Sequence, residues 1–137
     1  MTYRFPVVPR YAEVDQQGVV FNGHYLTWFD EAFTGFLDHI GLPYDELMAS
    51  GVDVMVVHSE LDYAGSVRWR DDARVEVSCE RQGTTSFTLA FAVYRSADEV
   101  AVTGRNVYVV VARDPETGAW AKAPAIPESL AAALSRG

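Results

Sequence analysis

The sequence predicts an α+β fold in which an antiparallel sheet wraps around one long central helix. Three observations lead to this prediction. One segment has a strong helical period, the segments after it alternate apolar and polar residues between turn residues, and 49% of the 137 residues are apolar. Because a chain of this size can bury one core without crosslinks, we expect a single domain over residues 1–137.

The helical segment begins near Gly23 and ends near Ile40. Its apolar residues recur at steps of three and four, which places them on one face of a helix. They are Tyr25, Leu26, Phe29, Phe33, Phe36, Leu37 and Ile40. Asn22 is the expected N-cap, and Gly41 followed by Pro43 is typical of a helix end. This wide aromatic stripe predicts that the helix is buried against a sheet.

Most of the remaining chain is predicted to form strands. A short strand precedes the helix, and about five antiparallel strands joined by short loops are expected after it. The alternating or Val-rich ranges are 7–14, 54–63, 75–80, 87–93 and 100–112. Gln82-Gly83 and residues 114–118 mark turns. Residues 128–134 are expected to form a short helix with Pro127 in its first turn.

The charge and the cysteine content restrict the partners and the compartment. Eleven Lys and Arg against 19 Asp and Glu give a net charge of −8, which repels nucleic acid and anionic membrane surfaces. An anionic substrate therefore needs a local basic cluster, for which Arg68, Arg70 and Arg74 are candidates. The single cysteine, Cys79, excludes an internal disulfide. We expect a cytoplasmic protein, since neither a signal peptide nor a membrane-spanning run is present.

The loop before the helix carries the candidate catalytic residue, Asp15. Gly18, three residues later, permits close backbone approach, and the free amides of a helix N-terminus follow. These amides can stabilise a developing oxyanion while the carboxylate attacks the carbonyl carbon or activates water. The pattern therefore suits acyl transfer to water. Taken alone, it favours a structural role, because an aspartate before a glycine usually hydrogen-bonds its own turn.

A resemblance to a known family extends over almost the whole chain. The motif Asp15-x-x-Gly18-Val19-Val20-Phe21-x-x-x-Tyr25, with Arg10 before it and the aromatic helix after it, resembles the signature of the 4-hydroxybenzoyl-CoA thioesterase family of hotdog proteins. The similarity continues at Gly41-Leu42-Pro43, Asp62-Tyr63, Asp71-Asp72, Gly104, residues 107–111 and Ile126-Pro127. It implies the hotdog fold.

The resemblance also implies an activity. The protein would hydrolyse the thioester of an acyl-CoA, or of an acyl group on a carrier protein, to a free acid and a thiol. The residue matching Asp15 would be nucleophile or general base, and the backbone amide matching Asn22 would polarise the carbonyl. Asn22 stands where a bacterial subgroup has histidine, and His24 is given no catalytic role. The site would lie between subunits of a homodimer or homotetramer, which also fits the need to pair exposed sheet edges.

Further residues are candidates for binding the substrate. Around the acyl group they are Gly18, Val20, Phe21, Tyr25, Asp30 and His58. Tyr25 and Asp30 match positions that line the acyl pocket in the family. For His58, which lies in an apolar strand, a hydrogen-bonded core histidine is the favoured interpretation, and a substrate contact is the alternative. Arg68 and Arg70 are candidates for the CoA phosphates, and solvated charges on an edge strand are the alternative.

No cofactor and no metal are expected. The three histidines are scattered and no second cysteine is present, so ligand spacing for zinc is absent from the sequence. Phosphate-binding glycine loops and the serine-hydrolase elbow are also absent. Cys79 is expected to be a packed thiol. The alternative functions are a hotdog dehydratase or hydratase, whose arrangement of histidine and carboxylate is not found, and a non-catalytic module that binds or senses acyl thioesters.

Overall fold

The computed structural model describes residues 2–137 and confirms the predicted α+β architecture. A long helix, α1 (His24–His39), packs on a sheet of six antiparallel strands. The strands are β1 (Tyr3–Val7), β2 (Val52–Tyr63), β3 (Ala73–Gln82), β4 (Ser86–Tyr94), β5 (Val100–Arg113) and β6 (Trp120–Lys122). The spatial order is β1-β3-β4-β5-β2, and β6 pairs with the end of β5. The short helices are α2 (Tyr44–Ala49) and α3 (Glu128–Leu134).

The core lies between α1 and the inner face of the sheet. Strand β4 shows why, because its alternate residues from Phe87 to Val93 are buried while their neighbours are only partly covered. The Phe29 ring stacks on Phe91 with centroids 4.4 Å apart, and Phe33 stacks on Tyr108 at 4.7 Å. Burying each such side chain contributes roughly 1.5–3 kcal/mol, so this aromatic layer fixes the helix on the sheet.

The start of α1 differs from the prediction in two details. Gly23, not Asn22, is the N-cap, and no side chain caps the helix. Leu26 is 40% exposed, whereas Trp28 is 1% exposed and occupies the core. At 100° per residue, Leu26 falls within the stripe, between Phe33 and Leu37, and Trp28 falls at its margin, so the helical period alone predicts the opposite exposure of these two residues. The indole can be buried because its N–H finds an acceptor.

The first strand is shorter and earlier than predicted. The prediction of a strand over residues 7–14 is wrong, since β1 occupies Tyr3–Val7 and pairs antiparallel with β3. Pro9 has no backbone N–H to continue the ladder, and a 3₁₀ turn, Tyr11–Glu13, follows it. This early end of β1 frees residues 8–23 to form the loop before α1.

The short elements that follow α1 were only partly predicted. Helix α3 has the predicted range, with Pro127 at its N-cap rather than in its first turn. Helix α2 and strand β6 were not predicted, because six and three residues are too few for a clear period. The predicted turn at residues 114–118 joins β5 to β6.

The two outer strands of the sheet are unequal. Strand β1 has five residues, whereas β2 has 12 and pairs on one side only, with β5. Three consecutive apolar residues of β2 are exposed, Met55 at 59%, Val56 at 46% and Val57 at 59%. A long apolar edge of this kind is a surface for strand pairing. Within residues 2–137, no helix has both the length and the apolar character needed to cross a membrane.

Candidate active site

Asp15 opens a tight hairpin that its own side chain stabilises. The Asp15 N–H donates to the Val19 carbonyl at 2.9 Å, and the Gly18 N–H donates to the Asp15 carbonyl at 3.0 Å. Gly18 has φ +77°, a conformation that costs glycine least. One carboxylate oxygen, Oδ1, accepts the Gln17 N–H at 2.8 Å. The residue is exposed, and among the bonds of the described chain Oδ2 has no donor.

A buried carboxylate, Glu13, anchors the base of this hairpin. It is 5% exposed, and its Oε2 accepts the Trp28 indole N–H at 2.8 Å while Oε1 accepts the Arg10 N–H at 2.9 Å. Burial by itself raises the pKa of the Glu13 carboxyl, but these hydrogen bonds and the Arg10 charge outweigh it and leave the pKa lowered. The Glu13 carbonyl also accepts the Phe21 N–H at 2.9 Å. Glu13 therefore ties both ends of the loop to α1.

The start of α1 provides backbone donors beside the hairpin. The His24 N–H donates to the Phe21 carbonyl at 3.0 Å, which closes a turn with Asn22 and Gly23 at its centre. Within residues 2–137, neither of these two central residues donates its N–H to another backbone group. The Tyr63 hydroxyl donates to the Asn22 carbonyl at 3.3 Å and orients that side of the turn. Free amides at the positive end of a helix are suited to a developing negative charge.

The predicted acyl-binding residues divide into exposed and buried ones. Gly18 and Asp30 are exposed, and Phe21 is 51% exposed at the rim of the loop. Val20 is 4% exposed and Tyr25 is 2% exposed, so both lie in the core. The Tyr25 hydroxyl accepts the Val67 N–H at 3.2 Å, and burial raises the pKa of this phenol. In this chain Val20 and Tyr25 support the loop from beneath.

Asp30 lines a cavity beside the open β2 edge. The cavity has a volume of about 170 Å³. Its other lining residues are Phe33, Thr34, Tyr44, Asp53, Val54, Val56 and Tyr108. Burial raises the pKa of the Tyr108 hydroxyl, and the negative charge of Asp30 raises it further. The cavity thus combines apolar walls with a phenol that stays neutral and a nearby carboxylate.

Two predicted binding residues have surroundings different from those expected. The interpretation of His58 as a core histidine is wrong, because its side chain is 58% exposed on β2, with Nε2 3.6 Å from the Glu60 carboxylate. Arg74 does not belong to the predicted basic cluster, because its guanidinium donates to the Glu76 carboxylate at 2.8 Å and to the carbonyls of Ser96 and Ala97. His58 lies on β2 and Arg74 on β3, and the pairing register of each strand decides which way the side chain points.

Arg68 and Arg70 lie on the loop between β2 and β3, not on an edge strand. An isolated bridge pairs Arg68 with Val19 of the Asp15 hairpin, and the Val20 N–H donates to the Val67 carbonyl at 2.8 Å. Neither guanidinium forms an ion pair with an acidic group of residues 2–137. The structure therefore pairs the backbone of the loop that carries these two arginines with the Asp15 hairpin, a neighbour relation that sequence spacing does not reveal.

The sequence interpretation missed two buried polar groups, Glu13 and Asn106. Asn106 is 3% exposed, accepts the Ser59 hydroxyl at 2.7 Å and donates to the Tyr108 hydroxyl at 3.2 Å. For Glu13 a signal existed, because an acidic residue at the third position of a helical turn often caps the turn's first amide. For Asn106 there was none, since its partners come from across the sheet.

Other reactive groups lie apart from the loop. Burial raises the pKa of the Cys79 thiol, and its Sγ contacts the Arg81 carbonyl at 3.7 Å, so this residue has the character of a packed thiol. Within the described chain, no three His, Cys, Asp or Glu side chains converge as ligands for a metal ion.

Comparisons with known proteins assign the family. The model of the thioesterase superfamily matches residues 17–102, well over half of the chain. The Bacillus subtilis protein named "Putative acyl-CoA thioesterase YneP" is 25% identical over 105 residues, covering 77% of this chain and 76% of its own.

Solved structures agree with this assignment. The hypothetical protein TT1821 from Thermus thermophilus superposes with a TM-score of 0.84 at 27% identity, covering 99% of this chain and 97% of its own. A 4-hydroxybenzoyl CoA thioesterase, at 15% identity, shares the fold with a TM-score of 0.85 over 97% of this chain and 98% of its own. The chain therefore belongs to the thioesterase superfamily, has its hotdog fold and is a thioester hydrolase.

Proposed function

We propose that this protein hydrolyses acyl-CoA thioesters with Asp15 as its catalytic carboxylate. The observation that carries the proposal is an Asp15 carboxylate with one unbonded oxygen on a hydrogen-bonded hairpin, followed by the unpaired amides of Asn22 and Gly23 at the start of α1. The name of the Bacillus subtilis relative supports acyl-CoA as the substrate class. An acyl group on a carrier protein is the alternative thioester.

The two catalytic routes use the same carboxylate. In the first, an Asp15 oxygen attacks the thioester carbon, the C–S bond breaks, and the thiolate leaves with the electron pair and takes a proton from solvent. Water then cleaves the resulting anhydride and restores the carboxylate. In the second, Asp15 takes a proton from water as that water attacks, and the proton passes to the departing thiolate. Both give one acid and one thiol.

The backbone N–H of Asn22 is the proposed oxyanion donor. It belongs to the turn that precedes the N-cap, where the helix dipole favours negative charge. Tyr63 holds the other side of this turn through the Asn22 carbonyl. A donor fixed before the reaction stabilises the transition state without reorganisation, which commonly contributes several kcal/mol.

The proposed acyl site extends from the hairpin to the cavity at Asp30. Gly18 lets the thioester approach the backbone, and Phe21 covers the entrance from the rim. Asp30 and the Tyr108 hydroxyl offer polar partners at the cavity, whose apolar walls come from Phe33 and its neighbours. Such a mixture fits a small acyl group with a polar substituent. His58, exposed on β2, would contact substrate at a site shared with a second subunit.

The second subunit is proposed to pair along β2. Met55, Val56 and Val57 leave an apolar edge of the sheet open, and the Asp30 cavity lies beside it. Edge pairing about a two-fold axis would cover this edge and give a homodimer, which can associate further into a homotetramer. The same pairing would bring a second chain to the acyl site.

The β2 pairing has a direct test in solution. We expect Val57→Lys to lower the molar mass measured by light scattering to that of one chain and to reduce activity at least about tenfold, because a lysine on an edge opposes pairing. Val8→Lys is the matched control, since Val8 is 70% exposed near the opposite edge. A Val57→Lys protein that keeps its mass, or a wild type that is a monomer with full activity, would refute the β2 pairing.

The catalytic proposal is tested by thiol release. The wild type and Asp15→Asn are assayed with aromatic, short-chain and long-chain acyl-CoA esters. We expect a loss of at least about a hundredfold in kcat/KM for the variant, which is the size typical of losing a general base or nucleophile.

Asp114→Asn is the matched control for this substitution. Asp114 also accepts the N–H of the second following residue with its Oδ1, at 2.8 Å, in a turn that ends with a glycine of positive φ. We expect it to keep activity within about twofold of the wild type, because it lies in the β5–β6 turn. Undiminished activity in Asp15→Asn would remove Asp15 from the mechanism. Saturable acyl-CoA binding by the wild type without thiol release would overturn the proposed acyl-CoA hydrolysis.

A further inference from the structure

We propose that Tyr11, Trp69, Arg68 and Arg70 form a docking platform for the adenine nucleotide of CoA. This platform rests on the proposed function, and it deepens that function by selecting CoA over a carrier protein as the thiol partner. It also gives a role to an exposed aromatic pair that the core and the catalytic loop do not use.

Exposed aromatic rings are the first component of the platform. Tyr11 is 74% exposed and Trp69 is 44% exposed, yet they come from loops 58 positions apart in the chain. Their ring centroids lie 5.5 Å apart with an interplanar angle of 68°. Two large rings held together at the surface expose apolar area to water, which is unfavourable. Nucleobases stack on exposed aromatic rings of this kind.

Two arginines are the second component. The Arg70 guanidinium carbon lies 4.2 Å from the centre of the Trp69 ring, and Arg68 precedes it in the same loop. Arg70 has φ +67°, and it is the one non-glycine residue of the described chain with a positive φ. That conformation is unfavourable for arginine. The Arg70 guanidinium covers one face of the Trp69 indole, so a nucleobase would stack on the opposite face of Trp69 or on Tyr11. Planar guanidinium groups with free donors suit phosphate oxygens.

The loop that carries the platform is fixed relative to Asp15. Val67 is fully buried, its N–H donates to the Tyr25 hydroxyl, and its carbonyl accepts the Val20 N–H at 2.8 Å. Asp71 closes the loop by accepting the Arg68 N–H at 2.7 Å. These bonds make the loop a continuation of the catalytic hairpin, so the platform has a set position before any ligand binds.

The separation matches the reach of CoA. The Asp15 N–H donates to the Val19 carbonyl, Val19 forms an antiparallel β-bridge with Arg68, and Trp69 follows Arg68 in the chain. Antiparallel partners lie about 5 Å apart and successive Cα atoms about 3.8 Å, so the Cα atoms of Asp15 and Trp69 are at most about 14 Å apart. The pantetheine arm has the backbone length of about four extended residues, also roughly 14 Å. It can therefore join a thioester at Asp15 to a nucleotide at the platform.

The charge pattern favours a nucleotide over an acidic carrier protein. A carrier surface needs a broad basic face, but this chain has a net charge of −8, and Asp71 and Asp72 directly follow Arg70. A nucleotide reaches two arginines without covering those carboxylates, and its base also uses the aromatic rings. Both components of the platform are then explained by one ligand.

The first experiment measures binding without turnover. Adenosine 3′,5′-bisphosphate is titrated by calorimetry into the wild type, Trp69→Ala and Trp69→Phe. We expect saturable binding to the wild type, at least about fivefold weaker binding to Trp69→Ala, and near wild-type affinity for Trp69→Phe, because base stacking needs an aromatic face. Trp120→Ala is the matched control, since Trp120 is 42% exposed on β6, and its affinity should equal that of the wild type.

The second experiment separates the nucleotide from the rest of CoA. Hydrolysis of one acyl group is compared on CoA, on pantetheine and on a carrier protein. For acyl-CoA we expect Trp69→Ala to raise KM at least about fivefold with kcat unchanged, and for acyl-pantetheine we expect no change. Arg70→Gln should likewise weaken only acyl-CoA, with a smaller dependence of KM on salt.

Specific results would overturn the platform. The platform would be refuted if the wild type did not bind the bisphosphate, or if Trp69→Ala bound it as tightly as the wild type. It would also be refuted if Trp69→Ala raised KM equally for acyl-CoA and for acyl-pantetheine. A defect confined to the carrier-protein substrate would assign the platform to that partner instead. If bisphosphate binding depends on Trp69 while no acyl-CoA is hydrolysed, the proposed function fails and the platform stands.

Discussion

Two aspartate turns of this protein are alike in local chemistry and unlike in surroundings. Asp15 and Asp114 each donate their N–H to the far side of a turn, and each accepts the N–H two residues later through Oδ1 at 2.8 Å. Each turn ends with a glycine of positive φ, +77° at Gly18 and +75° at Gly118. Nothing in the hydrogen bonds of either turn by itself marks one as a catalytic candidate.

The difference lies in what each turn adjoins. The Asp114 turn connects β5 to β6, whose three residues are all exposed. The Asp15 turn is tied to the start of α1 through Glu13 and to the Arg68 loop through Val20. A carboxylate in a common turn thus becomes a candidate for chemistry when the fold supplies oxyanion donors and a substrate surface next to it.

Removing the Glu13 anchor should have the largest effect on stability. We expect Glu13→Ala to lower the free energy of unfolding by roughly 3 kcal/mol, because the buried indole N–H of Trp28 and the N–H of Arg10 lose their acceptor. Urea unfolding measures the change. Glu31→Ala, at an exposed carboxylate of α1, is the control and should stay within about 0.5 kcal/mol. Equal stability of the two variants would mean that Glu13 is not an anchor.

The stability that Glu13 provides should depend on pH. Its folded-state pKa lies below the ordinary value of 4.5, so its contribution is fully present above that value and is lost as the pH falls through the folded-state pKa. We expect the difference in Tm between the wild type and Glu13→Gln to be constant from neutral pH to about pH 5.5 and to shrink below pH 4.5. A difference that grows on acidification would contradict the lowered pKa.

Alanine in place of the two turn glycines should separate stability from activity. Gly18→Ala and Gly118→Ala each force alanine to a positive φ, at a cost of about 1 kcal/mol. At Gly18 the new Cβ meets nothing within 4 Å, so this cost is conformational rather than steric. We expect similar losses in urea unfolding, but a fall in kcat/KM of at least about tenfold only for Gly18→Ala, because a displaced catalytic group loses its geometry. If Gly18→Ala and Gly118→Ala had equal kcat/KM values, Gly18 would lie outside the site.

The smallest effect on stability is expected for the two aspartates themselves. Asp15→Asn and Asp114→Asn keep the Oδ1 acceptor of the turn, so each should change the free energy of unfolding by less than about 0.5 kcal/mol. Thermal unfolding of both variants checks this. A large loss for Asp15→Asn would show that its carboxylate is structural, and its loss of activity could not then be assigned to chemistry.

The sequence predicted the architecture more closely than the details of the loop before α1. The helical stripe and the alternating strands depend on a period of 3.6 or 2 repeated over many residues, so single errors such as Leu26 did not change the outcome. Strand β1 was misplaced because the eight residues 7–14 give a weak period, and Pro9 interrupts them. The Asp15 motif was found from a family resemblance, since the local pattern favoured a structural turn.

The sequence by itself determined the helix that fills the core, the four long strands β2–β5, the turn glycines and the single cysteine. Each of these depends on local conformation or on composition. Only the tertiary structure decided that Glu13 is buried against Trp28, that Arg74 is occupied by Glu76, that His58 faces solvent, and that Trp69 meets Tyr11. These contacts join distant segments through sheet register and loop closure, and neither can be predicted from neighbouring positions in the chain.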